Sequence, residues 1–462
     1  MGRVGPILQT LLQITYINSP EAVRHTDGCA PENLPVPDPK NDATVKLTQR
    51  AETHLGREYD MDFQLNEEQL RWRDIARDFV EQVIKPDVLR RDRLPTAEER
   101  IPWDWIQAAD ELGLRTLGVT KEFGGAEQGI MTMCVVGEEL GVGDLGFAVI
   151  MDQCWKTAHL LKDAMTPEQQ QRFIPPFVAD PEATTAIGIT EEGVGSDHQG
   201  YHDTADIALH MSAVRDGDDY VLNGTKRYIS NGSMAKLYFI IARTDMSKNL
   251  SEGGAVFVVP HDTPGFRVGF FHEKSSQRLA TNGTFHLEDC RVPASNLLVG
   301  EGMLTELRSK YLPGSKAEAA ATVLGVGRAA YEYALTYAKD RVQGGQPIIE
   351  HQAVALMLGR MVMLLDAARL QIWKAAWLAD RHHPDARIHG LLAKVNASEV
   401  AFEVCRLSAE VLGGASIMYE HPVEKYMRDA ASFLHSDGTN QICLLRAMRA
   451  IGSQDGTDLY GF

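Results

Sequence analysis

One segment of this sequence combines glycines with short hydroxyl side chains, a pattern suited to a loop that holds a ligand. Residues 186–197 contain three glycines, with Thr190 and Ser196 among them. Glycine lets a backbone approach a ligand closely, and a hydroxyl donates or accepts a hydrogen bond. The same residue types are also typical of an ordinary turn, so this segment indicates binding only together with others.

A second segment places an aromatic ring and a hydroxyl on one face of a predicted β-strand. Asn223-Gly224 predicts a tight hairpin turn, and Tyr228 and Ser230, two residues apart, then point to the same side. This pair suits a flat ligand ring that needs stacking and a partner for its polar edge. The alternative is a half-exposed strand with ordinary alternation.

Two later segments have features suited to phosphate groups. Arg341 follows a helical pattern, and its planar guanidinium can donate two hydrogen bonds to a pyrophosphate without losing its charge. Gly413 and Gly414 would let backbone N–H groups meet phosphate oxygens. A lone arginine after a helix is otherwise a solvated side chain, so each segment needs the support of the others.

The elements that must position these residues divide the chain into helical and β-type parts. Helical periodicity begins at Asn66 and Gln69, which form a capping-box pattern. Short β-type runs bounded by turn residues follow, and long helical patterns then return. We predict an α+β fold with a partly disordered N-terminal extension over 1–60, a helical domain over 61–182, a β domain over 183–300 and a helical bundle over 301–462.

The strongest periodic patterns can be given by residue. The β-type runs are 220–222, 237–242, 255–259 and 266–271, and the long helical patterns are 317–339, 350–380 and 386–412. Helices, then a β block, then a bundle favour an enzyme with a cleft where the three parts meet.

Composition opposes several other classes of protein. The net charge of −17 and a pI near 5.4 oppose binding to nucleic acids or to anionic membranes. No run is apolar enough for a membrane span, and the six cysteines form no Cys-x-x-Cys pair, so we expect a cytoplasmic protein with inert thiols. Asp197-His198 with His202-Asp203 has metal-like spacing, but the surrounding residues favour a loop, and we expect no metal.

Taken together and in this order, the segments resemble the acyl-CoA dehydrogenase family. They are 186–197, 222–232, 337–352 and 410–441, the last including Arg428-Asp429-Ala430 and Asp437-Gly438-Thr439. The resemblance covers nearly all of 61–452. It implies an N-terminal helical domain, a small central β-barrel or sheet domain and a C-terminal four-helix bundle. It also implies FAD as cofactor, an acyl-CoA substrate, an electron-transfer flavoprotein as electron acceptor, and a homo-oligomer, dimer or tetramer.

The resemblance also implies roles for particular residues. Arg341 and Gln352 would reach the FAD of a neighbouring subunit. The family has glutamine where Glu410 stands and Phe-Gly where Gly344-Gly345 stand, so two cofactor contacts differ here. The implied FAD-binding residues are Ile189, Thr190, Ser196, Tyr228, Ser230, Arg341, Gln352, Glu410, Gly413, Gly414, Thr439 and Gln441. The implied substrate-binding residues are Ser196, Lys316 and Gly438.

Asp437 stands where the family usually has a glutamate, the base that removes the α-proton of the substrate. The resemblance implies the same role for Asp437, with the β-hydride passing to flavin N5 and a 2-enoyl-CoA as product. Burial beside an acyl chain should raise the pKa of this carboxyl towards neutrality. Some relatives take the base from the position of Ser315, which cannot act as one.

Other functions remain open from the sequence. A nitroalkane-oxidase-like or monooxygenase-type flavoenzyme of the same fold would also use Asp437 as a base, although Leu444 stands where nitroalkane oxidase has a helpful arginine. A redox-inactive subunit of a mixed oligomer, or a purely structural helical scaffold, are the further alternatives. Flavin absorbance of the purified protein separates the scaffold from every flavoenzyme.

Overall fold

The computed structural model of the chain describes residues 63–197, 204–207 and 209–453. Gln64 and the described residues after it belong to one compact unit. The predicted extension over 1–60 lies outside the described residues, and so do His198, His202 and Asp203 of the metal-like pattern.

Helices form the first part of this unit. α1 (Glu67–Phe79) begins at Asn66, whose side chain accepts a hydrogen bond from the Gln69 backbone, while the Gln69 side chain accepts one from the Asn66 backbone. This pairing confirms the predicted capping box and satisfies two backbone donors near the start of the helix. The next helices are α2 (Val88–Asp92), α3 (Trp103–Glu111), α4 (Ile130–Gly143), α5 (Leu145–His159) and α6 (Pro167–Ala179).

An eight-stranded sheet follows the helices. Its strand order is β6-β7-β3-β2-β4-β5-β8, and β1 pairs in parallel with β4. The strands are β1 (Thr185–Gly188), β2 (Ser212–Asp216), β3 (Asp219–Ser230), β4 (Leu237–Arg243), β5 (Gly254–Pro260), β6 (Phe266–Phe271), β7 (Asn282–Pro293) and β8 (Leu297–Val299), with the short helix α7 (Leu250–Gly253) before β5. Each predicted β-type run falls within one of these strands, because alternation and β-branched composition are local signals.

The hairpin turn predicted at Asn223-Gly224 is wrong. Both residues lie inside β3, and the chain reverses instead at Gly217, which has a φ of +63° between β2 and β3. Gly224 has a φ of +147° and lies at a shift in the pairing of β3 with β7. A Cβ atom at Gly224 would lie 2.9 Å from the Met211 backbone, so this glycine permits a bulge and a close approach.

Long helices complete the unit and confirm the predicted helical patterns. They are preceded by α8 (Leu304–Glu306) and comprise α9 (Ser315–Asp340), α10 (Gln352–Asp380), α11 (Ala386–Leu412), α12 (Val423–Phe433) and α13 (Asn440–Gly452), with a small hairpin of β9 (Val342–Gln343) and β10 (Gln346–Pro347) between α9 and α10. α9 crosses α4 at unusually short range. A Cβ at Gly141 would lie 2.0 Å from the Thr322 carbonyl oxygen, so the two backbones touch directly.

A buried ion triad joins the first helices to the last ones. Lys425 Nζ on α12 lies 2.6 Å from Asp144 Oδ2 and 2.6 Å from Asp429 Oδ2, and the three side chains are at most 3% exposed. Asp144 also caps α5 by accepting a hydrogen bond from the Phe147 backbone. Asp429 accepts a 2.7 Å hydrogen bond from the backbone of Gln277, after β6. Lys425 and Asp429 therefore link the two helical parts to each other and to the loop between β6 and β7.

The observed order of helices, sheet and helices confirms the predicted fold class. Among the residues that the structure describes, the five cysteines are free and buried, as expected of inert thiols. None of the described helices is long and apolar enough to cross a membrane.

Candidate active site

A cavity of about 520 Å³ lies where the buried helix α5, the loop after β1, strand β3, helix α9 and the turn after α12 meet. Its size is that of an ordinary small-molecule site. Eight of the predicted site residues line this cavity, although they come from four separate stretches of the chain. They are Ile189, Thr190, Ser196, Tyr228, Ser230, Lys316, Asp437 and Gly438.

Tyr228 lines the cavity with a half-exposed ring, which the Arg227 guanidinium and the His272 ring contact. Its φ is +61°, at a second shift in the pairing of β3 with β7, and 51% of its surface is exposed. The bulge interrupts the simple alternation that the sequence predicted, yet Tyr228 and Ser230 both line the cavity. A half-exposed ring and a nearby hydroxyl fit the isoalloxazine ring of the expected FAD, which offers a flat face and a polar edge.

The loop after β1 is fixed against β3 by a buried lysine. Lys226 Nζ donates hydrogen bonds to the Ile189 carbonyl at 3.0 Å and to Glu191 Oε1 at 2.7 Å. Burial lowers the pKa of Lys226 to about 8, although Glu191 opposes this shift. The Arg227 backbone also donates to the Thr190 carbonyl at 2.9 Å. These contacts hold Thr190 beside the strand that carries Tyr228.

Asp437 lies in a tight left-handed turn that lysines hold from two helices. Its φ is +56° and that of Gly438 is +90°, and Thr439 then caps α13 by accepting a hydrogen bond from the Ile442 backbone at 3.3 Å. Lys394 Nζ on α11 donates to the Gly438 carbonyl at 2.7 Å. Lys316 Nζ on α9 lies 2.9 Å from Asp437 Oδ2 and also donates to the Asp437 carbonyl.

The expected rise in the pKa of Asp437 is wrong, because the structure indicates the opposite direction. Burial alone would raise the pKa, but the positive charges of Lys156, Lys316 and Lys394 outweigh it and hold the pKa below its ordinary value. The Asp437 side chain lines the cavity and remains 26% exposed, although its Oδ2 atom, which Lys156 and Lys316 contact, is buried. It is therefore ionised at neutral pH and is a weak base in this arrangement.

A second carboxylate lines the same cavity and was not identified from the sequence. Asp152 and Lys156 lie one turn apart on α5, with Lys156 Nζ 2.6 Å from Asp152 Oδ2 and 3.5 Å from Asp437 Oδ2. Asp152 is 2% exposed. Burial raises its pKa above the ordinary value of an aspartate, Lys156 opposes this rise, and the nearby carboxylates add to it. The available signal was an Asp and a Lys four residues apart within an otherwise apolar helix.

Further basic side chains give the cavity a cationic lining, in contrast to the acidic chain as a whole. Lys274, Arg387 and Arg446 line it, and burial lowers the pKa of Lys274 to about 7 and that of Arg387 to about 10. The charge of Asp437 attracts Arg446, which lies two residues after Leu444. Arg446 is therefore close in sequence to the position at which Leu444 replaces the arginine of nitroalkane oxidase. A cationic lining fits ligands that carry phosphate groups.

The remaining predicted site residues do not line the cavity of their own chain. Arg341 is exposed between α9 and the small hairpin, and Gln352 is at the start of α10. Glu410 pairs with Arg406 on the surface of α11. The others are Gly413 and Gly414, which are exposed after α11, and Thr439 and Gln441 at the start of α13. Within the described ranges no group of side chains has a metal-binding arrangement.

Three family models match the chain in order. They describe the N-terminal, middle and C-terminal domains of acyl-CoA dehydrogenases, and they match residues 66–180, 186–290 and 307–452. Together they cover most of the described part of the chain.

Individual relatives agree with these matches. The chain is 34% identical to cyclohex-1-ene-1-carbonyl-CoA dehydrogenase of Geobacter metallireducens, over 84% of this chain and 98% of the relative. It is 29% identical to the solved butyryl-CoA dehydrogenase of Megasphaera elsdenii, with a TM-score of 0.78 over 85% of this chain and 100% of the other. A chain solved in work on the electron transferring flavoprotein of Acidaminococcus fermentans is 31% identical, with the same TM-score and coverage.

Proposed function

This chain belongs to the acyl-CoA dehydrogenase family, and we propose that it oxidises an acyl-CoA thioester to the 2-enoyl-CoA with Asp437 as the proton acceptor. The chain is an oxidoreductase whose cofactor is FAD. The observation that carries the proposal is that a partly exposed carboxylate, a half-exposed aromatic ring and a cationic lining share one cavity.

We propose that one group of cavity residues contacts the cofactor and another group contacts the substrate. FAD, when bound, supplies the two-electron oxidant that accepts the substrate's hydride. Tyr228 offers a stacking face, while Thr190 and Ser230 offer hydroxyls for its polar edge. Ser196, Lys316 and Gly438 are proposed to contact the acyl-CoA, whose phosphates suit the basic lining.

Asp437 is proposed to take the α-proton of the bound thioester. The carboxylate must be ionised to accept a proton, and the three lysines ensure that it is. Each lysine contact that the thioester displaces would raise the basicity of Asp437, since the ion pairs are what hold its pKa low. The left-handed turn fixes where the carboxylate stands, which matters because proton transfer depends on sub-ångström placement.

The proposal is tested by anaerobic titration of the purified flavoprotein with acyl-CoAs that differ in chain length, branching and ring content. Loss of flavin absorbance with one class of thioester is the expected result, and it would also identify the acyl group. Nitroalkanes form a second arm of the experiment. Loss of absorbance with a nitroalkane and with no thioester would favour the oxidase-like alternative and contradict the proposal.

Electrons are proposed to leave the reduced protein through an electron-transfer flavoprotein. The similar chain from the work on the Acidaminococcus fermentans flavoprotein supports this choice of acceptor. A purified electron-transfer flavoprotein should reoxidise the substrate-reduced enzyme faster than oxygen does.

Arg341 provides a test of the proposed dimer or tetramer. Because this arginine lies outside the cavity of its own chain, we propose that it binds the FAD pyrophosphate of a neighbouring subunit. Arg341→Ala should release FAD during dialysis, which the ratio of flavin to protein absorbance measures. Arg267→Ala removes an exposed arginine from β6 and serves as the matched control. Full FAD occupancy in Arg341→Ala would contradict the assigned contact.

A further inference from the structure

The proton that Asp437 takes from the substrate must then be held by a group in the cavity, and the inference drawn here about that group rests on the proposed function. Protonation of Asp437 would remove one negative charge from a carboxylate that Lys156 and Lys316 contact at 3.5 Å and 2.9 Å. The attraction of both lysines would be lost in that step. A neighbouring group that holds the proton better than Asp437 would therefore favour the reaction.

Asp152 is such a group, and it lies on the far side of Lys156. The Asp152 carboxylate is 2.6 Å from Lys156 Nζ, and its other oxygen, Oδ1, has no hydrogen-bond partner among the residues that the structure describes. A buried oxygen without a partner is costly, so such an atom needs an explanation. Protonation of Asp152 would relieve that cost, because a neutral carboxyl loses less on burial than a charged one.

Burial is the main cause that favours the neutral form of Asp152, and the charged groups around it act in both directions. Lys156 faces it from its own helix, Glu318 from α9, and Asp437 from the turn after α12. The two carboxylates repel a negative charge on Asp152, and only Lys156 opposes them. His159 Nε2 lies 3.0 Å from Glu318 Oε1, so this histidine pairs with Glu318 and not with Asp152.

We propose that Asp152 is the final holder of the proton that Asp437 takes from the substrate, and that Lys156 passes it between the two carboxylates. The substrate Cα–H bond breaks and its electron pair forms the new Cα–Cβ double bond, while the Cβ–H bond breaks and its hydrogen leaves with both electrons as the hydride that bound FAD would take up. The proton bonds to Asp437. Asp437 then gives its proton to Lys156, while Lys156 gives another to Asp152. Asp437 and Lys156 recover their charges, and Asp152 becomes neutral.

The exposed fractions of the Asp437 and Asp152 side chains indicate which of the two carboxylates a bound substrate can contact. The Asp437 side chain is 26% exposed, whereas those of Asp152 and Lys156 are 2% and 5% exposed. A thioester in the cavity can therefore approach Asp437, while Lys156 lies between the two carboxylates. Asp152 is a positioning residue in this scheme, since it acts through Lys156.

The experiment is the rate of flavin reduction by a reducing acyl-CoA, followed anaerobically by stopped flow between about pH 6 and about pH 9. Asp152 accepts a proton only when it is ionised, so the wild-type rate should rise with pH through the raised pKa of Asp152. Asp152→Asn should lower the rate at high pH by about tenfold or more and abolish the rise. Asp152→Glu, which keeps the carboxyl, should restore the rise.

Two further variants make the outcome unambiguous. Lys274 and Lys394 also titrate near neutrality, so the rise is assigned to Asp152 only if Asp152→Asn removes it. Lys156→Gln, which breaks the connection, should remove the rise as well, and Asp245→Asn on the surface should not. An unchanged pH profile in Asp152→Asn would overturn the proposal. So would full activity of Asp437→Asn beside an inactive Asp152→Asn, because Asp152 would then take the substrate proton directly. Absence of flavin reduction in the wild-type protein would contradict the proposed function instead.

Discussion

Asp437→Asn is expected to lower the rate of flavin reduction by an acyl-CoA by about 10²–10⁴-fold, the usual contribution of a general base. The amide cannot accept a proton, but it keeps the size of the carboxyl. Asparagine also tolerates the φ of +56° at this position better than most residues do. The turn and the bound FAD should therefore remain, which separates loss of chemistry from loss of structure.

Asp437→Glu is the matched variant for this experiment. It restores a carboxylate that is one methylene longer, and it should reduce flavin with a measurable rate. The comparison uses anaerobic stopped-flow absorbance for the rate and the flavin spectrum for FAD content. If Asp437→Asn is reduced by substrate as fast as the wild-type protein, Asp437 is not the base.

The largest expected effect on stability comes from Lys425→Met. Lys425 neutralises Asp144 and Asp429 in a site where all three side chains are at most 3% exposed. Removing the lysine leaves two buried carboxylates close together, and breaking a buried ion pair from one side typically costs about 3–5 kcal/mol. Burial and the charge of Asp144 already raise the pKa of Asp429, and loss of Lys425 would remove the attraction that opposes this rise. The midpoint of urea unfolding, followed by circular dichroism, should fall accordingly.

Lys248→Met is the control for the loss of a lysine as such. Lys248 also contacts two carboxylates, those of Asp245 and Glu301, but it is 44% exposed on the surface. Water and salt screen these contacts, so the unfolding midpoint should hardly change. Equal midpoints for Lys425→Met and Lys248→Met would mean that the buried triad does not stabilise the fold.

The elements of the fold were largely predictable because their signals are local. The pattern over 386–412 matches α11 at both ends, and the run over 266–271 matches β6. The turn at Asn223-Gly224 was not predictable, because the residues that decide it are remote in sequence. Pairing with β7 and contact with Met211 make Gly224 part of a bulge, whereas the dipeptide alone favours a hairpin.

The site shows the same division. Thr190, Tyr228, Ser230 and Asp437 line one cavity, as their segments suggested together. The predicted direction of the Asp437 pKa shift was wrong because the lysines that surround Asp437 come from three helices that are far apart in the chain, α5, α9 and α11. Asp152 was not predicted as a site residue because an aspartate four residues before a lysine is also typical of an ordinary ion pair on a helix surface.

The contrast between the acidic chain and its cationic cavity has a consequence for how a substrate finds its place. With a net charge of −17 overall and several lysines and arginines gathered at the cavity, the rest of the chain carries a still larger negative excess. A polyanionic thioester is repelled from most of such a molecule and attracted at one mouth, since a charged cleft focuses the field. Long-range repulsion thereby reduces unproductive encounters. Added salt should lower the rate of substrate association more than it lowers the affinity of the site, because salt screens long-range interactions more than buried contacts.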